Sequence, residues 1–321
     1  MDFDLLSLPP EILAVVFSNI PWDQLINVKL CTRTFKYVTE KYLKDMQKPK
    51  LYKIYLGNDY THNDGISRIR VAYKILMTDA GDLKVISNEK EFFLLHSELD
   101  QLRSFLKKVD LTSLDCVHIE LHNHTEIMQI FSGYFHNTNR INYFFVHAGN
   151  SEKDLGNTLS FLQKVQNVDY LELDLRFPHL NVPKDFFIPV TNSLGSLVIR
   201  EGENTTFINS RMVDYFVGNN PGLCGYYLSL NNFQTFRMVI GTIARGELSR
   251  RINGCLHREI SLGIDSSRHE LLLEILGYFG SEEFPYIGDI ILDEHILFEG
   301  SLECPVCGEF DSITIYYSQV I

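Results

Sequence analysis

No apolar run in this chain approaches the roughly 18 to 20 residues that a membrane-spanning helix needs, so no membrane partner is expected. Basic charge is also short. Lys and Arg number 29 against 41 Asp and Glu, a formal net charge of −12. Residues 1–50 carry seven basic and six acidic side chains, which leaves 22 against 35 in the rest. A nucleic-acid partner needs a basic face and is therefore not expected. Six cysteines are scattered without the spacing of a disulfide framework, and no charged and then apolar leader opens the chain. Both features point to a cytoplasmic and/or nuclear protein. On that expectation Asn123-His124-Thr125 and Asn204-Thr205-Thr206 are accidental matches to the glycosylation pattern.

The common catalytic signatures are missing as well. The sequence holds no phosphate-binding glycine loop, no H-E-x-x-H and no G-x-S-x-G, so the usual nucleotide, zinc-protease and hydrolase chemistries lack their residues. The expectation is a non-catalytic protein without a cofactor. Two histidines, His122 and His124, share one side of a strand-like run and read as a polar strand end. Cys304-Pro305-Val306-Cys307-Gly308 has the shape of half a zinc ribbon, in which a tight turn lets two sulfurs face one ion. A closed site needs a second pair, and the only neighbours in sequence are Cys255 and His257, well upstream. Half a site argues for a turn between terminal strands, and no metal is expected.

What is present is a substantial core, with 45% hydrophobic and 12% aromatic residues, and a strongly patterned start. Pro9 and Pro10 precede Glu11, which suits a first helical turn: proline loses no hydrogen bond there, and an acidic side chain complements the helix dipole. Ile12, Leu13, Val16, Phe17 and Ile20 then form one apolar stripe, and Pro21 ends it. Asp23 opens a second helix with Leu25, Ile26, Val28 and Leu30. Thr32 is the N-cap of a third that carries Phe35, Val38, Tyr42 and Leu43. About 40 residues make a marginal core, so such a unit needs a partner or another domain over its apolar faces.

This stretch resembles an F-box. The run Leu8-Pro9-Pro10-Glu11-Ile12-Leu13, followed by Val16-Phe17 and Ile20-Pro21, matches the opening of that family, and Leu25, Val28, Cys31 and Phe35 fit its later apolar positions. Trp22, where a polar residue is more usual, and Phe35, where many members have tryptophan, depart from it. The resemblance covers about a tenth of the chain. It implies three packed helices that dock on a Skp-type adaptor and, through it, a cullin. Leu8, Pro9, Ile12, Leu13, Val16, Phe17, Ile20, Leu25, Val28, Cys31 and Phe35 would form or support the adaptor surface.

After the segment 1–48 the texture turns to β. Lys48-Pro49-Lys50 reads as a junction to a connecting region, 49–110. In it Leu51 to Leu56 is strand-like, Arg68 to Met77 and Leu83 to Ile86 form a hairpin, and Glu98 to Val109 is helical. Over 111–321 a loose repeat appears. Strand-like runs begin near Val117, Asn142, Val168, Leu194, Leu223, His257, Ile287 and Ser312, at spacings of 25, 26, 26, 29, 34, 30 and 25. Helical patterns fill Glu126 to Phe135, Leu155 to Val165, Ser210 to Val217, Phe233 to Ala244 and His269 to Phe279. Between Arg176 and Asn192, Pro178, Pro183 and Pro189 argue for an irregular loop.

One strand plus one helix every 20 to 30 residues is the unit of a leucine-rich-repeat-like horseshoe. The strict consensus and its asparagine ladder are absent, and a single open α/β sheet fits the same alternation. The fold class expected is thus α/β, a three-helix F-box followed by a degenerate repeat-like domain. This layout resembles the F-box proteins of nematodes, whose C-terminal regions act as recognition domains. Within that acidic domain Arg237, Arg245, Arg250, Arg251, His257 and Arg258 cluster in sequence. Arg245, Arg250, Arg251 and Arg258 are candidates for an acidic or phosphorylated protein substrate, because guanidinium forks bind phosphate bidentately. The function expected is substrate recognition in a Skp, cullin and F-box ubiquitin ligase, with a non-degradative scaffold as the alternative.

Overall fold

In a computed structural model of the chain, the residues described are all except 1–4, 60–65, 80–81, 86–87, 123–124, 137–138, 150–151, 178–181, 203–206, 231, 252–254, 256, 266–268, 292–295 and 319–321. Three short helices come first: α1 (Pro10–Phe17), α2 (Trp22–Cys31) and α3 (Arg33–Lys41). Their boundaries follow local chemistry. Pro10 occupies the first turn of α1, Pro21 precedes α2, and the Thr32 side chain accepts a hydrogen bond from the Phe35 backbone N–H at 3.1 Å to cap α3. Leu13, Ala14, Phe17, Leu25, Val38 and Met46 form a small buried cluster of their own, with Leu8, Ile20, Val28, Phe35 and Tyr42 packed around it. Trp22, the residue at odds with the F-box pattern, packs instead against the main core and joins the helices to the rest of the chain.

The remaining elements are β1 (Leu51–Asn58), β2 (Arg68–Asp79), β3 (Asp82–Val85), β4 (Lys90–Leu95), α4 (Leu99–Lys108), β5 (Cys116–His122), α5 (Thr125–Ser132), β6 (Ile141–Gly149), α6 (Glu152–Leu162), β7 (Val168–Arg176), β8 (Ser196–Glu201), α7 (Ser210–Asn219), β9 (Gly225–Ser229), α8 (Phe233–Arg251), β10 (Glu259–Asp265), α9 (His269–Phe279), β11 (Ile287–Ile290), β12 (Ile296–Glu303) and β13 (Phe310–Ser318). The strands form one open mixed sheet in the order β11-β12-β13-β10-β9-β8-β7-β6-β5-β1-β2-β3, with β4 also on β2. From β5 to β10 each strand lies parallel to the one before it. Every connection steps the same way across the sheet. Right-handed crossovers that never reverse direction place their helices on one face, unlike a doubly wound sheet.

Burial follows that arrangement. Val117, Ile119 and Leu121 of β5, Phe144 and Val146 of β6, Leu171, Leu173 and Leu175 of β7, Ile199 of β8 and Leu228 of β9 are buried under the helices. The alternate positions form the helix-free face. One hydrophobic cluster runs from Leu51 to Ile315, and β1 pairs in parallel with β5, so the 49–110 and 111–321 segments share a single sheet and core.

One expectation needs correction. The run at Ile287 does not extend the parallel row: β11 is the outermost strand, antiparallel to β12, and β12 is antiparallel to β13. The parallel array ends when β13 pairs beside β10. Strand β12 was not anticipated because a register shift between Ile296 and Phe298 breaks its alternation. Strand β4 was missed because Leu94 is its one fully buried side chain.

Candidate functional site

The helical module separates its apolar residues into two sets. Leu13, Phe17 and Leu25 are buried, and Phe17 meets Phe35 edge-on at a centroid distance of 5.0 Å. Ile12, Val15, Val16, Ile26 and Leu30 face outward, with Val15 64% and Leu30 81% exposed. Pro9 and Cys31 are exposed too, and the Cys31 thiol donates to the Asn27 carbonyl within α2. Of the anticipated surface residues, Ile12, Val16, Pro9 and Cys31 are therefore outward and the others support them from below. Val15, Ile26 and Leu30 were not anticipated as surface. The signal was available: a helix whose inward stripe is already full and which still carries aliphatics at other positions has a second apolar face.

The helix-free face of the sheet carries a band of aromatic and charged side chains. Register sets Tyr55, His118, Phe145, Glu172, Val198 and Tyr227 side by side from β1 to β9. The His118 ring lies 4.9 Å from that of Tyr55, 5.3 Å from Phe145 and 5.5 Å from His147. Phe145 and Tyr170 are 5.5 Å apart. At the centre Glu172 pairs with Arg200, accepts from the Tyr170 hydroxyl at 3.1 Å and sits 3.3 Å from His147 Nε2. Arg200 in turn lies over the Tyr227 ring at 5.3 Å, and Arg176 holds Asp174 through two bonds of 2.8 and 2.9 Å.

These contacts set the charge states. Burial alone would raise the Glu172 carboxyl, but the His147 contact and the Arg200 charge outweigh it and hold the group down at about 2. Burial and the Glu172 charge push the Tyr170 hydroxyl up to about 12. Burial, with His147 beside it, lowers His118. The face is thus a half-buried, prearranged mixture of rings and fixed charges, suited to holding a polypeptide by stacking and hydrogen bonding.

The arginines separate in space according to their partners. Arg237 pairs with Glu283 and, with Arg245, lines a groove beside Met238, Tyr278 and Glu283. Arg245 donates to the Thr242 hydroxyl at 3.0 Å. Arg258 turns its guanidinium to the Pro221 and Leu223 carbonyls. The side chains of Arg250 and Arg251, at the end of α8, lie outside the described residues, as do Asn123 and His124.

The half site at Cys304 and Cys307 has its partners in space although not in sequence. Pairing of β10 with β13 brings Cys255 and His257 to it, and the four ligand atoms all lie within 4.8 Å of one another. Sequence distance hid this pair, because the two halves meet only through the parallel register of strands that are about 50 residues apart.

No protein-family model matches the chain, and no curated protein matches it.

Proposed function

We propose that the chain is a non-catalytic substrate receptor of a Skp, cullin and F-box ubiquitin ligase, with α1 to α3 as the F-box and the sheet domain as the recognition unit. The observation that carries this reading is the second apolar face of α1 and α2. The module has filled its own core, yet Ile12, Val15, Val16, Ile26 and Leu30 remain outward in a sequence that resembles an F-box. Burying four or five such side chains at about 1.5 to 3 kcal/mol each offers enough gross energy for a stable complex after association entropy is subtracted.

The sheet domain supports the second half of the proposal. Parallel strands in sequential order with helices on one face have the layout of a leucine-rich-repeat-like horseshoe. In such an arc the helix-free face is the recognition surface, and here it bears the Tyr55 to Tyr227 band. The substrate is then a protein segment with aromatic and hydroxyl side chains that complement Phe145 and Tyr170. Ubiquitin transfer takes place on other subunits.

Co-purification from cells that contain the adaptor and a cullin tests the reading. Retention of both by the wild-type chain, with ubiquitin gained by bound proteins, supports it. Retention of neither removes it. Retention of both without ubiquitin on any bound protein replaces it with the scaffold reading.

A further inference from the structure

The Cys255, His257, Cys304 and Cys307 cluster has the stoichiometry, the distances and the outer contacts of a metal site. Cys304 Sγ lies 3.9 Å from Cys255 Sγ, and His257 Nε2 lies 3.1 Å from Cys307 Sγ. An ion with Zn–S bonds of about 2.3 Å and a Zn–N bond of about 2.0 Å holds tetrahedral sulfurs roughly 3.8 Å apart and sulfur and nitrogen roughly 3.5 Å apart. The sulfur pair lies at that spacing, the sulfur and nitrogen are somewhat closer, and all four ligand atoms lie within 4.8 Å of one another, so small side-chain rotations seat the ion. A disulfide between Cys255 and Cys304 would instead require about 2.05 Å, and all four cysteines named in and around this turn and at Cys224 are free thiols.

Two features outside the donor set point the same way. The first is the turn. Gly308, at φ +76°, lets its N–H donate to the Cys304 carbonyl at 2.9 Å while the Cys304 N–H donates to Glu309 O at 2.8 Å. This closes the Cys304-to-Cys307 segment into a tight turn, the shape that lets two sulfurs face one ion. The second is Asp311. Its buried carboxylate lies 3.2 Å from His257 Nδ1 and also accepts the Arg258 N–H at 3.0 Å. A carboxylate on Nδ1 fixes the ring and leaves Nε2 as the ligand atom, the usual outer-sphere support of a metal-bound histidine.

We propose that Cys255, His257, Cys304 and Cys307 bind one structural zinc ion that pins the β12–β13 turn to the connection entering β10. Three thiolates and an imidazole favour zinc over the hard cations. Four protein ligands fill a tetrahedral shell, so the ion has no open position for chemistry. Its place in the fold explains its use: the strand-by-strand parallel progression in chain order stops at β10, where β13 adds in parallel and β12 and β11 follow antiparallel, and a terminal unit needs a cap. The ion clips the closing β11 to β13 meander onto that unit.

Elemental analysis of the full chain, purified under reducing conditions without chelator, is expected to find one zinc per chain. The double variant Cys304→Ser, Cys307→Ser loses it, while Cys224→Ser retains it. Misfolding of the double variant would also lose zinc, so the wild-type chain is in addition stripped of metal and titrated with Co(II). Saturation at one equivalent, with the visible bands of tetrahedral thiolate-bound cobalt that zinc then displaces, is the expected result. Asp311→Asn should weaken cobalt binding by about 10- to 100-fold without changing its stoichiometry. A wild-type chain with no zinc and no such cobalt bands overturns the proposal, as does equal zinc in the wild-type and double-variant chains.

Discussion

Glu172 on β7 and Arg200 on β8 form an ion pair although they are not directly opposite. The parallel register puts Arg200 beside Asp174 and Glu172 beside Val198, so the guanidinium reaches diagonally and leaves Asp174 to Arg176. The result is a chain of fixed charges across the middle of the helix-free face.

Acid should therefore weaken the fold through Glu172. Its carboxyl is held at about 2 in the folded chain, below the unfolded value of about 4.3. A group depressed on folding stabilises the native state above its unfolded pKa, and that contribution is lost as pH falls through the folded value. Urea unfolding of the wild type is expected to lose stability between about pH 5 and pH 2 on this account. Glu172→Gln should flatten that part of the profile. Arg200→Met at pH 7 should cost about 1 to 2 kcal/mol, less than for a fully buried pair because water reaches the guanidinium. An unchanged acid limb in Glu172→Gln would contradict the assignment.

Asn220 is fully buried and makes four hydrogen bonds with its side chain. Its Oδ1 accepts from the Leu194 N–H at 3.1 Å and the Ser193 N–H at 3.3 Å, and its Nδ2 donates to the Val190 and Phe216 carbonyls at 2.9 and 3.0 Å. It ties the loop before β8 to the end of α7. Asn220→Ala orphans these groups in a site without solvent access and should cost about 2 to 4 kcal/mol. Asn220→Asp keeps the acceptor and loses the donor pair, so it should not rescue. Thermal melts of the two variants check both statements.

Phe17 and Leu30 should separate folding from binding in the helical module. Phe17 is buried against Phe35, so Phe17→Ala should cost about 3 to 5 kcal/mol and expose 5–46 to proteolysis. Leu30 stands in solvent, and Leu30→Ser should shift stability by no more than about 0.5 kcal/mol. Equal protease resistance in the two variants would contradict the division of the module into core and surface.

Sequence periodicity found the elements that repeat and lost those that do not. The pattern over His269 to Phe279 coincides with α9, and the runs at Val117, Asn142 and Val168 lie on β5, β6 and β7, because β5 alternates between buried and half-buried positions and β6 and β7 are rich in aliphatic and aromatic strand formers. Phe233 to Ala244 gave the start of α8 and not its extension to Arg251, since the last turns carry Glu247, Arg250 and Arg251 in place of an apolar stripe. The antiparallel closure at β11 and β12 was invisible because strand direction leaves no mark on alternation. The same limit hid the metal-type cluster and the Glu172 network. Both depend on which strands become neighbours, and the spacing of Cys255 from Cys304, or of Glu172 from Arg200, has no local signature.

The central claim is that the outward face of α1 and α2 binds a Skp-type adaptor. Calorimetric titration of the purified adaptor into the full chain tests it most directly, with an Ile26→Ser, Leu30→Ser variant that melts like the wild type as the comparison. The account predicts one-to-one binding by the wild type and a loss of about 100-fold or more in the variant, as expected when two large apolar side chains leave an interface core. Undetectable binding by the wild type, or equal affinity in the two chains, would contradict it.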